Sequence, residues 1–545
     1  MKFTLADEVR LGKGRAWRLF RTLESAPSRA HYVPAKFQFL WKTESYNQPN
    51  LRKSQIRGSV FFMSGFFKRL TLKEDPSIYE DKDSHLVRVL TVKDFLALGV
   101  GTIVSTSIFT LPGVVAAQHT GPAVVFSFIV AAIVAGLVAF AYAEMAAAMP
   151  FAGSAYSWIN VMFGEFFGWV AGWALLAEYF IALAFVGSGL SANFRGLLEP
   201  LGIHFPNAIA NTFGNNGGIV DLVAVIVIAA VAWLISHGAG GAAKVENVLV
   251  VLKVLAILTF IIVGLTAIHV ENYFPFIPKY RVNPDGTAFG GWQGIYAGVS
   301  MIFLSYIGFD SIAANSAEAK NPGKTMPRGI LGSLVIAVVL FIAVALVLVG
   351  MFKYSSYANN AEPVGWALRH AGHPIIASVI QAVAVVGMFT ALIGMMLAGS
   401  RLVYSFGRDG MLPSWLGQLN KNNLPNHALL VLSIVGILIG AFCPFAFLAQ
   451  LISAGTLIAF MFVSLGIYPL RRREGKDIAM PEFKVPFYPV LPALGFIGSL
   501  IIFWGLDIQA KMYAGIWFAI GLVVYFAYGM HHSTLGKKAQ ADKEK

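Results

Sequence analysis

Twelve apolar runs, each long enough to cross a lipid bilayer, constrain this chain more than any other feature. They lie near 95–117, 123–149, 166–194, 220–235, 248–268, 294–317, 329–351, 374–402, 428–443, 445–470, 486–506 and 513–529. A helix spans the hydrocarbon core with about 20 apolar residues, whereas a barrel strand needs about ten in strict alternation. None of the twelve runs alternates in that way. The expected fold class is therefore an all-α polytopic membrane protein with about twelve transmembrane helices, the ninth and tenth separated at Pro444. A composition of 57% hydrophobic and 13% charged residues agrees with that class and excludes a water-soluble globule.

An even number of crossings leaves both termini on one side, and Lys and Arg mark the cytoplasmic side of short loops. Loops on the side of the termini hold twelve Lys or Arg, among them Lys244, Lys324, Arg328 and Arg471 to Arg473, against six in the opposite loops. Both termini are expected in the cytoplasm, with Arg471 to Arg473 as topology anchors. The formal net charge of +13 does not point to nucleic acid, because residues 1–62 alone contribute +8 of it. That first segment lacks a signal-peptide core and a helical period, and is expected to be a disordered extension or an upstream-start artefact. Cys443, the single cysteine, excludes an intramolecular disulfide and a cysteine metal cluster, and no metal or organic cofactor is expected.

Two spans differ from the others. The first contains "GVGTIVSTSIF", residues 99–109, and the sixth contains "FLSYIGFDSIAANSAEAKNP", which puts Ser305, Gly308 and Asp310 at membrane depth. Small residues can merely allow close helix packing. Matched weak points five spans apart, one beside a carboxylate, instead predict two unwound segments at corresponding positions of an inverted repeat. A helix that restarts near Ser107 turns unpaired N–H groups toward the cavity, where they can hold a carboxylate. Carbonyls freed around Ile103, Leu304 and Ser305 can accept from an ammonium group. A zwitterion satisfies both ends, so the expected ligand is a free amino acid.

The sequence resembles the amino acid/polyamine/organocation transporter superfamily, specifically the bacterial branch of the cationic amino acid transporter family. The matching segments are "GVGTIVSTSIF", "AYAEMAAAMPFAGSAYSW", "GWALLAEY", "VLKVLAIL", "SYIGFDSIAANSAEAKNPGKTMPRGI" and "AGSRLVYSFGRDGMLP". They run in order from about residue 85 to 530. The resemblance implies a LeuT-like 5+5 inverted repeat and secondary active transport of L-amino acids. On that basis 63–93 is a cytoplasmic lead-in, 94–532 the transporter domain, and 533–545 a cytoplasmic tail. Within the domain, 94–270 and 290–470 are the repeats and 485–532 two appended helices. The family's binding segments fall on Ser105, Thr106 and Ser107 in the first span and on Leu304, Ser305 and Ile307 in the sixth. Serines at 105 and 107 depart from the family's usual glycines. "STSIFTLPG" with "LLAEYFIA" is similar to branched-chain amino acid permeases of lactic-acid bacteria.

Few ionisable residues lie at membrane depth. Lys253 alone reads equally as a snorkelling lysine. The resemblance implies instead that it meets the broken first helix as the proton-coupling group, an ammonium standing where other branches hold sodium. Glu178 has only apolar and aromatic neighbours in sequence and is expected to pair with Lys253 or to carry a proton. Asp310 is expected to cap the restarted sixth helix, and Glu144 to be a gate or packing residue near the cytoplasmic mouth. Spans 1, 8 and 10 contain no carboxylate for a cationic side chain. An apolar pocket with Ile103, Ile307 and Met388 favours leucine, isoleucine or valine; arginine, lysine or ornithine transport, or exchange, is the alternative. A sensor that binds without moving its ligand would share the pocket. Neither an HExxH pair nor a GxxxxGK[ST] loop occurs, so a zinc hydrolase and an ATP-driven pump are not expected.

Overall fold

The computed structural model describes residues 69–83, 88–151, 153–213, 217–237, 243–284, 286–358, 360, 362–421 and 424–544. The expectation for residues 1–62 falls outside them. The helices are α1 (Pro76–Asp83), α2 (Val92–Ile103), α3 (Thr106–Val115), α4 (Val124–Ala148), α5 (Ala155–Phe163), α6 (Glu165–Leu198), α7 (Leu222–Ser236) and α8 (Ala243–Leu265). After a two-stranded hairpin, Arg281–Val282 with Ala288–Phe289, come α9 (Gly291–Ile302), α10 (Phe309–Ala314), α11 (Pro322–Met351) and α12 (Pro363–His370). The remainder is α13 (Pro374–Arg408), α14 (Asn426–Phe442), α15 (Phe445–Arg473), α16 (Val490–Trp504), α17 (Ile508–Val524) and α18 (Thr534–Glu544).

Among the described residues, eight helical runs are long and apolar enough to span a membrane and three shorter apolar helices accompany them. The first run, Val92–Ala148, is 57 residues long. At 1.5 Å per residue one straight helix of that length would reach about 85 Å, far beyond a core of about 30 Å. It turns back at Gly121, whose φ of 61° only glycine adopts freely, and so makes two crossings. Twelve crossings result, and this is a polytopic helical membrane protein. Boundaries shift modestly from the sequence reading: the eighth span runs on to Arg408 and the twelfth begins at Ile508.

The termini of these helices follow local chemistry. Thr91 and Asp94 cap α2 through Asp94 Oδ2, which accepts from the Thr91 amide at 2.9 Å and its hydroxyl at 2.6 Å. Asp221 caps α7 by accepting from Ala224 N at 3.1 Å, while Ser191 on α6 donates to the same oxygen at 2.6 Å. Pro322, Pro363 and Pro374 occupy the first turns of α11, α12 and α13, where a missing N–H costs nothing.

The packing exposes the repeat. Spans 2 and 7, 3 and 8, and 4 and 9 pack on each other directly. Within spans 1 to 10 the other large pairings recur five spans away: 1 with 7 and 6 with 2, 3 with 10 and 8 with 5, 3 with 9 and 8 with 4, 3 with 4 and 8 with 9, 2 with 10 and 7 with 5, 1 with 5 and 6 with 10. Because a unit of five spans ends on the opposite side from its start, the second unit is inverted relative to the first. Spans 11 and 12 lie outside, against spans 10, 2 and 3. At the centre Tyr142 of α4 meets Trp158, Phe309 and Phe460 edge-on at centroid distances of 5.6, 5.2 and 5.2 Å. Each such pair adds about 0.5–1.5 kcal/mol to its area burial. Phe309 opens α10, so this cluster fixes the second half of the broken sixth span.

Candidate substrate and proton site

The first span is interrupted over two residues only, Val104 and Ser105, with Gly99 to Ile103 still helical. Ser105 N donates to Ile103 O at 3.0 Å, closing a tight turn, and α3 restarts at Thr106. Ser105 supplies no side-chain cap to α3. The first amides of that ten-residue helix therefore remain available to an anionic group. The sixth span unwinds at Ile307 and Gly308, where Ile307 N donates to Leu304 O at 3.1 Å. The carbonyls of Ile103 and Leu304 thus each accept one bond within their own turn and keep one lone pair. Unlike α3, α10 carries a carboxylate in its first turn: Asp310 Oδ1 accepts from the amide of Gly308, the residue before the helix, at 3.1 Å. Thr102, whose hydroxyl has Leu98 O at 2.9 Å and Gly99 O at 3.1 Å as nearer acceptors, lies 3.3 Å from Gly308 O and so brings the two breaks into contact.

Lys253, buried on α8, donates to Gly101 O just before the first break at 2.8 Å, and to Gly387 O on α13 at 3.5 Å. A Cβ at position 387 would run into the Lys253 stem, so glycine there leaves room for the approach. The ammonium thus bridges spans 1, 5 and 8 through main-chain carbonyls. Glu178 does something different. Its carboxyl accepts from Thr456 Oγ1 on α15 at 2.6 Å and shares the cavity wall with the carboxyl of Asp310, which Tyr179 approaches at 3.5 Å. The expected pairing of Glu178 with Lys253 is replaced by these contacts, because Glu178 faces span 6 and span 10.

Between the breaks lies a cavity of about 30 Å³, the room of two or three waters. Of the expected binding residues, Ile103, Ser105, Ser107, Leu304 and Ile307 reach it; so do Glu178 and Asp310, which the sequence assigned to proton coupling and to helix capping instead. Thr106 and Ser305 do not; both are buried beside it, and the Thr106 side chain packs against Gly189. Met388 is also absent from the wall, its place taken two helical turns later by Met395. Sequence reasoning missed Tyr179, Ala182, Phe185, Val186 and Ile452. A signal existed for four of these: counted from Glu178 they fall at i+1, i+4, i+7 and i+8, the same face of α6.

Glu144 lies outside the cavity. Its carboxyl pairs with Arg471 Nε at 2.7 Å and accepts from Val485 N at 2.5 Å, locking span 2 to the end of span 10. Arg471 is therefore no simple topology anchor: its charge is spent on a fully buried carboxylate. Arg473 likewise donates to Val161 O at 2.5 Å.

The amino acid permease family matches residues 90–528. The chain is 66% identical to the branched-chain amino acid permease BcaP of Lactococcus lactis over 457 residues, 84% of this chain and 98% of that protein. It is 35% identical to the methylthioribose transporter of Bacillus subtilis over 87% of this chain and all of that protein. It is 32% identical to a branched-chain amino acid permease BcaP of Bacillus subtilis over 88% of this chain and all of that protein. Matched broken spans, a carbonyl-bound lysine at the first of them and likeness along the whole transmembrane region lead to one assignment: this chain belongs to the amino acid permease family.

Proposed function

We propose that this protein is a proton-coupled importer of neutral branched-chain L-amino acids in the cytoplasmic membrane, with both termini in the cytoplasm. The observation that carries the substrate reading is the difference between the two helix restarts. The start of α10 already has a negative group, the carboxyl of Asp310 bonded to Gly308 N, whereas the first turn of α3 has none and offers its amides to an outside anion. A substrate carboxylate goes to α3, and its ammonium to the carbonyls left at Ile103 and Leu304. The side chain then meets Phe185, Val186, Ile307, Met395 and Ile452, a wall suited to leucine, isoleucine or valine. Both carboxyls in the wall already accept from protein donors, Glu178 from Thr456 Oγ1 and Asp310 from Gly308 N, which disfavours an arginine or lysine tip. Two of the relatives are branched-chain amino acid permeases, which supports the same substrate class.

Lys253 is the coupling group in this proposal. Protonated, it holds Gly101 and Gly387 through charge-assisted bonds and so keeps spans 1 and 8 together; deprotonated, it keeps two N–H donors but loses that charge, and the weaker hold lets the repeat containing spans 1 and 6 rock. Glu178 with Asp310 provides a second place for a proton between span 3 and span 6. The deciding experiment is uptake of labelled leucine into proteoliposomes with and without an inward proton gradient, with isoleucine or arginine as competitor. Gradient-driven uptake blocked by isoleucine and not by arginine is expected. Competition by arginine would instead mean that Glu178 or Asp310 turns toward substrate, and binding without uptake would indicate a sensor.

A further inference from the structure

A second concavity lies far from the substrate cavity, at the start of α11. It is a groove of about 540 Å³ between the first turns of α11 and the segment around Glu482 and Phe483. Lys324 and Arg328 project from one wall, one helical turn apart. Pro327, Leu331 and Phe483 form the apolar floor, and the Phe483 ring stacks on Phe140 of α4 at 6.4 Å.

The face of α11 that carries the two cations continues along the helix. Four- and three-residue steps lead from Lys324 to Arg328, Leu331, Val335 and Val339. Val335 and Val339 are 63% and 61% exposed, as side chains that touch lipid tails are. Cationic groups at the helix end, an apolar floor and then a lipid-facing apolar stripe reproduce the order of a phospholipid: headgroup, glycerol and acyl chain. Met480 and Phe487, 66% and 79% exposed on either side of the groove segment, put the same level at the membrane interface.

Charge decides the class of lipid. Two cations face one carboxylate, Glu482, which approaches Lys324 at 3.8 Å with both groups more than half exposed. An exposed pair at that distance is worth at most about 1 kcal/mol. Arg328 has no protein hydrogen-bond acceptor or ion pair among the described residues. The groove therefore carries one uncompensated positive charge, the complement of a single phosphodiester. We propose that this groove binds the headgroup of an anionic phospholipid, with the phosphodiester on Arg328 and Lys324 and a headgroup hydroxyl donating to Glu482. Basic pockets between helices at the membrane surface recognise anionic lipid in this way.

The test is native mass spectrometry of the delipidated full chain titrated with phosphatidylglycerol, phosphatidylethanolamine or phosphatidylcholine. Wild type is compared with the double variant Lys324→Gln/Arg328→Gln and with Lys537→Gln/Lys538→Gln, which loses the same charge from the tail. The expected result is one fewer tightly retained phosphatidylglycerol per chain in the groove variant only, with the other two lipids unaffected. Equal retention by wild type and groove variant overturns the proposal, as does retention of phosphatidylethanolamine at the same stoichiometry and affinity. Leucine uptake by the groove variant in phosphatidylcholine vesicles, expected within twofold of wild type, shows that the variant is folded and separates this site from the transport site.

Discussion

Lys253 and Gly308 show how much a single position can hold. Lys253 spends its hydrogen bonds on Gly101 O and Gly387 O, so removing the ammonium frees two carbonyls without removing any group that lines the cavity. The expected outcome for Lys253→Ala is retained leucine binding with loss of pH-gradient-driven accumulation, measured by equilibrium binding beside proteoliposome uptake. Unchanged gradient-driven accumulation would refute the coupling role. Gly308 is held by its backbone. Its φ of 135° is a conformation that side chains rarely adopt, and a Cβ there would lie 3.0 Å from Ile103 Cγ1 and 3.1 Å from Ile103 N. Gly308→Ala should cost about 1–3 kcal/mol in strain and push the two breaks apart. Thermal unfolding and leucine uptake should both fall, whereas Ile307→Val, an ordinary change in the wall, should alter substrate preference with little change in unfolding temperature.

At the scale of elements, α12 is the clearest case of a helix held by electrostatics. Glu362, at its N-cap, accepts from Arg369 and Gln381, while Arg369 also donates to Gly196 O of α6 at 3.3 Å and approaches Glu199 at 3.3 Å. Burial pushes the Glu362 carboxyl up to about 7 against the attraction of Arg369, with Glu199 pushing the same way and Arg195 opposing. A carboxyl whose value is higher docked than free binds its proton more tightly when docked. Docking of α12 is therefore strongest below about 4.5 and weakens as pH rises through about 7. The difference between pH 5 and pH 8 is about 2 kcal/mol. Amide exchange across 363–370, corrected for intrinsic rates, should report faster opening at pH 8 than at pH 5, and Glu362→Gln should flatten that dependence. A pH dependence unchanged in the variant would assign it elsewhere. None of this network was legible in the sequence, because α12 is too short and too polar to register as a span and its partners come from α6 and α13. The spans themselves were legible from apolar length, and the breaks from clustered Gly, Ser and Thr beside a carboxylate. What periodicity could not supply was azimuth: it placed Glu178 at the right depth but not facing Asp310, and chose Met388 where the α13 face turned inward carries Met395.

Across the whole molecule, the inverted repeat implies that motion at one break must be transmitted to the other. The backbone supplies a link. Leu90, just before α2, forms a parallel bridge with Ala319, just after α10: Leu90 N donates to Glu318 O at 3.0 Å and Lys320 N to Leu90 O at 2.9 Å. At the breaks the same two spans touch where Gly308 packs on Ile103 and Thr102, and α2 packs on α10 between these points. The halves of spans 1 and 6 that share this side of the membrane are thus joined at both ends and should move as one body. By contrast, α2 meets span 7 through an extensive face of apolar and small residues, with Phe95 against Gly329, Leu96 against Gly332 and Gly99 against Ser333, and among the described residues no hydrogen bond crosses it. A surface of that kind can slide. Paired cysteines at positions 90 and 319, in a Cys443→Ser background, sit on bridge-paired Cα atoms about 5 Å apart, within reach of a disulfide. If the two halves move together, oxidation of that pair leaves gradient-driven leucine uptake near its reduced level, since the cross-link joins points that keep their separation throughout the cycle. Loss of uptake on oxidation, restored by reductant and with leucine binding intact, would mean that spans 1 and 6 part company during transport, and that alternating access is achieved by independent hinging at the two breaks.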